Sequence, residues 1–358
     1  MKIIECQTVP LKVPLKKPLL TRHLTINEME CLTVLIKTDN GLIGHGFARG
    51  LGNHGAKLLA TYINHVLAPL LNGENPLAIE KIWNKLWLAN RNRLQAGLCL
   101  YALAAIDIAL WDIKGKFNQK PLYQLLNIEK KSVKVYASGG WLNWSDNQLF
   151  EDCQWYLDQG VNQYKIRIGS DHDERRLALL RDTFGDKLIL YADANQHYSL
   201  QAAIDASHML KSFGVEWFEE PLFSTSIEDL KELAKQSLVP IGTGENISSH
   251  WQFQDLCASK AADFIQPDVI NCGGITEFIK IAKIISQHSL VMTTHLLHEL
   301  SVSLAGLCDK VLVEHLCLFP DDLFKYNFYI KAGSIEALEV HGTGLTFSDD
   351  ALKDYKIT

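Results

Sequence analysis

The chain has 358 residues, 47% of them hydrophobic and 21% charged, with a formal net charge of -6. That balance excludes a disordered chain, and an acidic sign without runs of like charge argues against a nucleic-acid or anionic-membrane surface. The length suits one large barrel plus a smaller partner domain, working together on a small molecule.

In chain order, the N-terminal MKIIECQTVPLKVPLKKPLL is broken by Pro10, Pro14 and Pro18 and lacks a continuous apolar stretch with a cleavage site, so no signal peptide is read. Strands are expected over residues 3–10, over 28–38, where Cys31, Thr33 and Leu35 alternate, and over 42–48 after the turn Asp39-Asn40-Gly41. Helical periodicity follows over 55–71, 76–88 and 96–114; the last places Leu98, Tyr101, Ala105, Ile108 and Trp111 on one face and stops at Gly115. The apolar run 97–111 carries Asp107 and falls short of the roughly 20 residues that cross a bilayer. Residues 1–125 thus read as an α+β domain. The tail 326–358, with its strand-like EALEVHG, is expected to fold back on it.

Eight cysteines, at 6, 31, 99, 153, 257, 272, 308 and 317, form no CxxC pair and no tight cluster. Reduced, mostly buried thiols in a cytoplasmic protein are the expectation.

From Val133 the texture changes. Short runs VKVYAS, NQYKIRI, KLILYAD, VEWFEE, LVPIGTGE, DFIQPD, SLVMTTH and KVLVEH alternate with helical patterns, which implies a parallel sheet with helices outside. Nearly every run ends on a polar residue: Ser138, Lys165 and Arg167, Asp193, Glu219, Glu245, Asp268, His295 and Glu314. Eight such steps over residues 126–325 fit a TIM-type barrel better than an open doubly wound sheet, and no GxGxxG follows the early strands. Barrel sites are built from the C-terminal strand ends, so these side chains should converge on one mouth.

Asp193, Glu219 and Glu245 lie 26 and 26 residues apart. Each alone reads equally as a loop residue or helix cap, but three carboxylates brought together need a cation, and an all-oxygen set suits Mg²⁺ better than Zn²⁺. Asp268 and His295 end neighbouring strands, where a carboxylate would fix the imidazole tautomer and raise its basicity as a general base. His298 and Glu299 follow in HLLHE, which is neither HExxH nor HxxEH, so a zinc protease is not read.

YADAN (191–195), WFEEP (217–221), GTGEN (242–246), IQPD (265–268), TTH (293–295), VEH (313–315) and DIALWDIKGK (107–116) together resemble the enolase superfamily, in its mandelate racemase-like subgroup. The resemblance implies a modified (β/α)7β barrel closed by residues 1–125 as a capping domain, Mg²⁺ on Asp193, Glu219 and Glu245, and a homo-oligomer. It implies proton abstraction α to a carboxylate, a pattern already known for enolase-superfamily sites. His295 with Asp268 would be the base, Lys165 a second cation, and Glu314, if protonated, a hydrogen-bond donor. Asn195 and Ser138 would contact substrate; for Ser138 a purely local role in the turn is the alternative.

On the second barrel strand the related racemases carry KxK, whereas this chain has Lys165-Ile166-Arg167. An arginine is a poor general base, so one substrate face lacks one. That favours dehydration by a single imidazole over racemisation. Around YASGG (136–140) and VHGTGLTFS (340–348) the chain is most similar to talarate/galactarate-type dehydratases, which points to a small-molecule acid sugar, aldonate or aldarate, giving a 2-keto-3-deoxy acid. The loop KKPLLTRHL (16–24) matches the flap that sets specificity, with Arg22 and His23, or Lys16 and Lys17, as carboxylate or hydroxyl contacts. A racemase or epimerase, and a non-catalytic descendant of the fold, stay open as rivals.

Overall fold

A computed structural model describes residues 1–20, 25–50 and 54–357. The N-terminal unit opens with an antiparallel meander of β1 (Ile3–Leu20), β2 (Thr25–Thr38) and β3 (Ile43–Arg49). The first strand is twice as long as expected and runs through all three prolines. It is an edge strand, where a missing N–H costs no ladder bond, and its pairing shifts register between Pro14 and Leu19.

Behind the meander lie α1 (Gly55–Tyr62), α2 (Ile79–Asn90), α3 (Leu98–Asn118) and the single turn α4 (Leu122–Leu125). Helix α1 stops sooner than the periodicity suggests, loosening into a π turn over Ile63–Leu67. Helix α3 is apolar nearly all round and is buried from Leu100 to Ile113, as a helix between two layers must be. Strand β3 lies directly on it: a Cβ at Gly46 would stand 1.8 Å from the Ala105 carbonyl oxygen, so only glycine allows the approach.

The barrel follows as β4 (Ser132–Gly139), α5 (Asp146–Asp158), β5 (Gln163–Arg167), α6 (Asp173–Phe184), β6 (Ile189–Asp193), α7 (Leu200–Ser212), β7 (Val215–Glu219), α8 (Ile227–Gln236), β8 (Ile241–Thr243), α9 (His250–Ser259), β9 (Phe264–Ile265), α10 (Ile275–Gln287), β10 (Val291–Thr293), α11 (His298–Leu304) and β11 (Val311–His315). All eight strands pair in parallel, and β11 closes the ring on β4. No helix follows β11 before β12 (Ser334–Glu336), so the architecture is (β/α)7β. The tail adds β12 antiparallel to β4, then α12 (Asp349–Asp354). It returns to the meander, where Lys12 N–H donates to the Tyr355 carbonyl and Ile357 N–H to that of Pro10. EALEVHG contributes only its first residue to a strand.

Strand alternation sets up the site from below. Tyr136, Tyr191 and Trp217 sit two residues before Ser138, Asp193 and Glu219 and so share their face; the three rings form their own buried cluster. Tyr191 and Trp217 stack at 4.5 Å, and Gly242 leaves room for the Trp217 indole, 2.6 Å from where a Cβ would be. This aromatic floor holds the next layer of side chains at the C-terminal mouth. No described helix is long and apolar enough to cross a membrane, and all eight cysteines are free thiols.

Candidate active site

Parallel pairing puts Lys165 beside Ser138, Arg167 beside Asp193 and Asp193 beside Glu219, so the ends of β4 to β7 deliver a contiguous polar layer. Lys165 is fully buried at its centre. Its ammonium donates to Glu219, lies 2.9 Å from Glu314 Oε1 and 3.9 Å from Asp193 Oδ2. Burial alone would lower its pKa, but Glu219 and Glu314 hold it above the ordinary lysine value.

Arg167 is buried as well. Nη1 donates to Ser138 Oγ at 2.6 Å, Nε stands 3.2 Å from Asp193 Oδ2, and the guanidinium lies 4.1 Å over the Trp141 ring. Despite desolvation, Asp193 and Glu314 keep it above its usual value. Ser138 Oγ therefore serves Arg167 as an acceptor. Asn195, with φ 45°, donates N–H and Nδ2 to the two Asp193 oxygens, at 2.8 and 3.2 Å; in this arrangement it orients a carboxylate.

On the opposite side of the ring, His295 Nδ1 lies 2.7 Å from Asp268 Oδ2, and its Nε2 lies 3.3 Å from Glu245 Oε2. Desolvation opposes the charged imidazole, but Glu245 and Asp268 outweigh it and raise the pKa. Asp268 is held below the usual carboxylate range against its burial by Arg49 and His295, and its Oδ1 accepts from the Ile270 and Asn271 N–H groups at 2.7 and 2.9 Å. Glu314, expected as a hydrogen-bond donor if protonated, lies between the Leu296 N–H and the Lys165 ammonium. Its Oε2 accepts the Leu296 N–H at 2.6 Å, and Lys165 and His295 overcome burial to hold it well below the ordinary range. In this arrangement it is an acceptor, with the Lys165 ammonium 2.9 Å from its other oxygen.

Whether the carboxylates suit a divalent cation can be judged from charge. Asp193, Glu219, Glu220, Glu245, Asp268 and Glu314 face Lys165, Arg167 and Arg49: six carboxylates against three permanent cations leave three negative charges over. Burial and the neighbouring Asp193 and Glu314 push Glu219 up to about 8 against the pull of Lys165, and its Oε2 is buried without a partner. Burial, Glu220 and Glu219 raise Glu245 in the same way. A hard dication would relieve this frustration. No three ligand side chains among the described residues are gathered around one point, and the Lys165 ammonium sits against Glu219.

Three contributors escaped the sequence reading. Arg49, the last residue of β3, reaches from the meander to place Nη1 3.2 Å from Asp268 Oδ2 and Nη2 2.9 Å from Asn271 Oδ1. Asn271 then donates to the Glu245 carbonyl at 2.5 Å. Glu220 is buried beside Glu219, accepts from Asn246 and Gln196, and is pushed up by burial to about 8. EEP and GTGEN contain Glu220 and Asn246, but nothing local marks the end of a cap strand as part of a barrel mouth. Asn195, Gln196, Glu220, Leu296 and Leu297 all have positive φ, so backbone strain gathers on these loops. Lys16 pairs with Asp321 at 2.6 Å, and Lys17 lies 5.1 Å over the Trp144 ring. Arg22 and His23 lie outside the described residues.

Residues 3–127 match the mandelate racemase / muconate lactonizing enzyme N-terminal domain, and residues 148–351 match the enolase C-terminal domain-like family. L-talarate/galactarate dehydratase of Salmonella typhimurium is 31% identical over 98% of this chain and 89% of its own length. L-talarate dehydratase from Polaromonas sp. JS666, solved with Mg and L-glucarate, superposes with a TM-score of 0.92 at 31% identity, over 100% of this chain and 98% of its own. A racemase from Streptomyces coelicolor A3(2) with bound magnesium reaches 0.94 at 27% identity, over 99% and 100%. The chain belongs to the mandelate racemase/muconate lactonizing enzyme family of the enolase superfamily.

Proposed function

We propose that this protein is a hydro-lyase that dehydrates an acid sugar, an aldonate or aldarate, with Mg²⁺ held by Asp193, Glu219 and Glu245. The observation that carries the reading is Arg167. Where a racemase needs a second base, this chain has a guanidinium fixed by Asp193, Ser138 and the Trp141 ring. Such a group stabilises negative charge and does not accept a proton.

His295, its Nδ1–H anchored on Asp268, takes the C2 proton at Nε2. Negative charge then builds on the substrate carboxylate, where Lys165 and Arg167 supply preorganised positive charge in a water-poor site. The bound cation would add Lewis-acid neutralisation of that charge. The imidazolium returns its proton to the departing C3 hydroxyl; water leaves, the enol tautomerises, and a 2-keto-3-deoxy acid results. One imidazole performing both transfers makes the elimination syn. Asn195 and Ser138 act behind Asp193 and Arg167, and the flap residues Arg22 and His23 remain candidates for the distal end of the substrate.

The similarity to a racemase at TM-score 0.94 supports a second reading, 1,1-proton transfer. The two are separated by incubating the protein with Mg²⁺ and a panel of mono- and diacid sugars in D₂O, following keto acid and C2 deuterium together. Keto acid from a few related sugars is expected, with none from His295→Asn. Deuterated epimers without keto acid would replace the dehydratase by an epimerase.

A further inference from the structure

We propose that the slot left by the absent eighth barrel helix is a second ligand site, outside the catalytic mouth, for a small polyhydroxylated carboxylate. A complete barrel would cover the outer face of β11 with a helix. Here the chain from Leu316 to Ile330 crosses that face in irregular conformation and leaves a cavity of about 470 Å³ between α5 and α11. That volume is in the range of sites for sugar-sized molecules, roughly 300–1,000 Å³. None of the proposed catalytic residues lines it.

Its polar lining is specific. Glu314 faces into the barrel, so alternation turns His315 outward, where its ring lies 4.5 Å from that of His298. Tyr156 OH, 2.9 Å away, engages His315 Nδ1, leaving Nε2 for an occupant. His298 Nε2 is 3.6 Å from Glu299 Oε1, too long for a strong hydrogen bond. Burial holds both imidazoles neutral, His298 at about 4 and His315 below its ordinary value, and pushes Glu299 up to about 7. Neutral rings that donate or accept, beside a carboxyl group, recognise hydroxyls.

The remaining lining sets the rest of the ligand. Lys16 is the lining cation, and its partner Asp321 is 87% exposed, so that pair is weak and yields to a carboxylate. Trp155, stacked at 6.5 Å on His315, supplies an apolar face for the C–H side of a sugar chain. A metal fits poorly: no three ligand side chains among the described residues are gathered here, and Tyr156 already occupies one imidazole nitrogen.

The cavity also shares its backbone with the catalytic layer. His298 is three residues beyond His295, and His315 is next to Glu314. An occupant therefore presses on the segments that carry the base and the Lys165 partner, so the site is placed to modulate turnover.

The test is histidine-ring NMR on the full-length protein with Mg²⁺, using gluconate and galactarate as probes. His298→Gln and His315→Gln assign the two ring signals. Both are expected to shift saturably, and Glu299→Ala should weaken the effect about tenfold, the cost of one buried hydrogen bond. Should that variant not fold, Trp155→Ala at the half-exposed rim serves instead. Movement of the His295 signal alone, or of none, overturns the proposal; so does a shift that follows protein concentration and ignores the probes, since a second copy of the chain would then fill the slot. Deuterium at C2 in the same samples reports the catalytic reading separately, so either can fail without the other.

Discussion

Asp268 Oδ2 is shared by two donors from opposite domains, His295 Nδ1 at 2.7 Å and Arg49 Nη1 at 3.2 Å. The guanidinium also holds Asn271, which holds the main chain of Glu245, so one cap residue fixes the proposed base, its carboxylate and a metal-ligand candidate. Arg49 touches no reacting atom in this arrangement and works through Asp268. Arg49→Met should lower kcat about 10- to 100-fold, as loss of an outer partner of a ligand or base typically does, with KM changed much less. Arg49→Lys, keeping the charge but not the fork, should recover part of it. A steady-state comparison checks this; a KM effect with kcat intact would make Arg49 a substrate contact.

At the scale of elements, what was legible in the sequence follows from how local each signal is. The barrel strands and their terminal residues could be read because hydrophobic runs, turn residues and the 26-residue spacing all lie within short windows. Strand β1 was underread because prolines look like strand breaks until its edge position is known, and Arg49 was missed because its partner is 219 residues away. The DIALWDIKGK run was recognised but its work was not. Helix α10 has no capping side chain of its own; Asp107 from α3 caps it across the domain boundary, accepting from Thr276 N at 2.9 Å and Thr276 Oγ1 at 2.5 Å. Burial raises Asp107 from 3.8 to about 7 against those hydrogen bonds. The folded state thus holds this proton more tightly than the unfolded chain, so the contribution is complete below about pH 3.8 and is lost as pH rises through about 7. Asp107→Asn removes the titration. The thermal midpoint of the parent minus that of the variant should therefore shrink from pH 5 to pH 8, and a difference that grows would show that the helix N-terminus outweighs desolvation.

For the whole molecule, closure of the barrel and docking of the meander confine six carboxylates and three permanent cations in a volume poor in water, with Glu219, Glu220 and Glu245 driven toward protonation as the consequence. A chain that unfolds disperses these charges, so a dication that balances them binds the folded state selectively and stabilises it. At one hundred times its dissociation constant, Mg²⁺ should add about 2.7 kcal/mol to unfolding. Glu245→Gln separates the two halves of that argument. Glu245 has the weakest cation support of the three candidate ligands, its nearest being His295 Nε2 at 3.3 Å, whereas Glu219 has Lys165 and Asp193 has Arg167. The amide should leave the metal-free protein at least as stable as the parent, because a frustrated buried charge is gone, while most of the stabilisation by Mg²⁺ disappears. Thermal unfolding with and without Mg²⁺ reads both. A variant that is destabilised without metal yet keeps the full response would place Glu245 with His295 as a structural partner and take it out of the cation site.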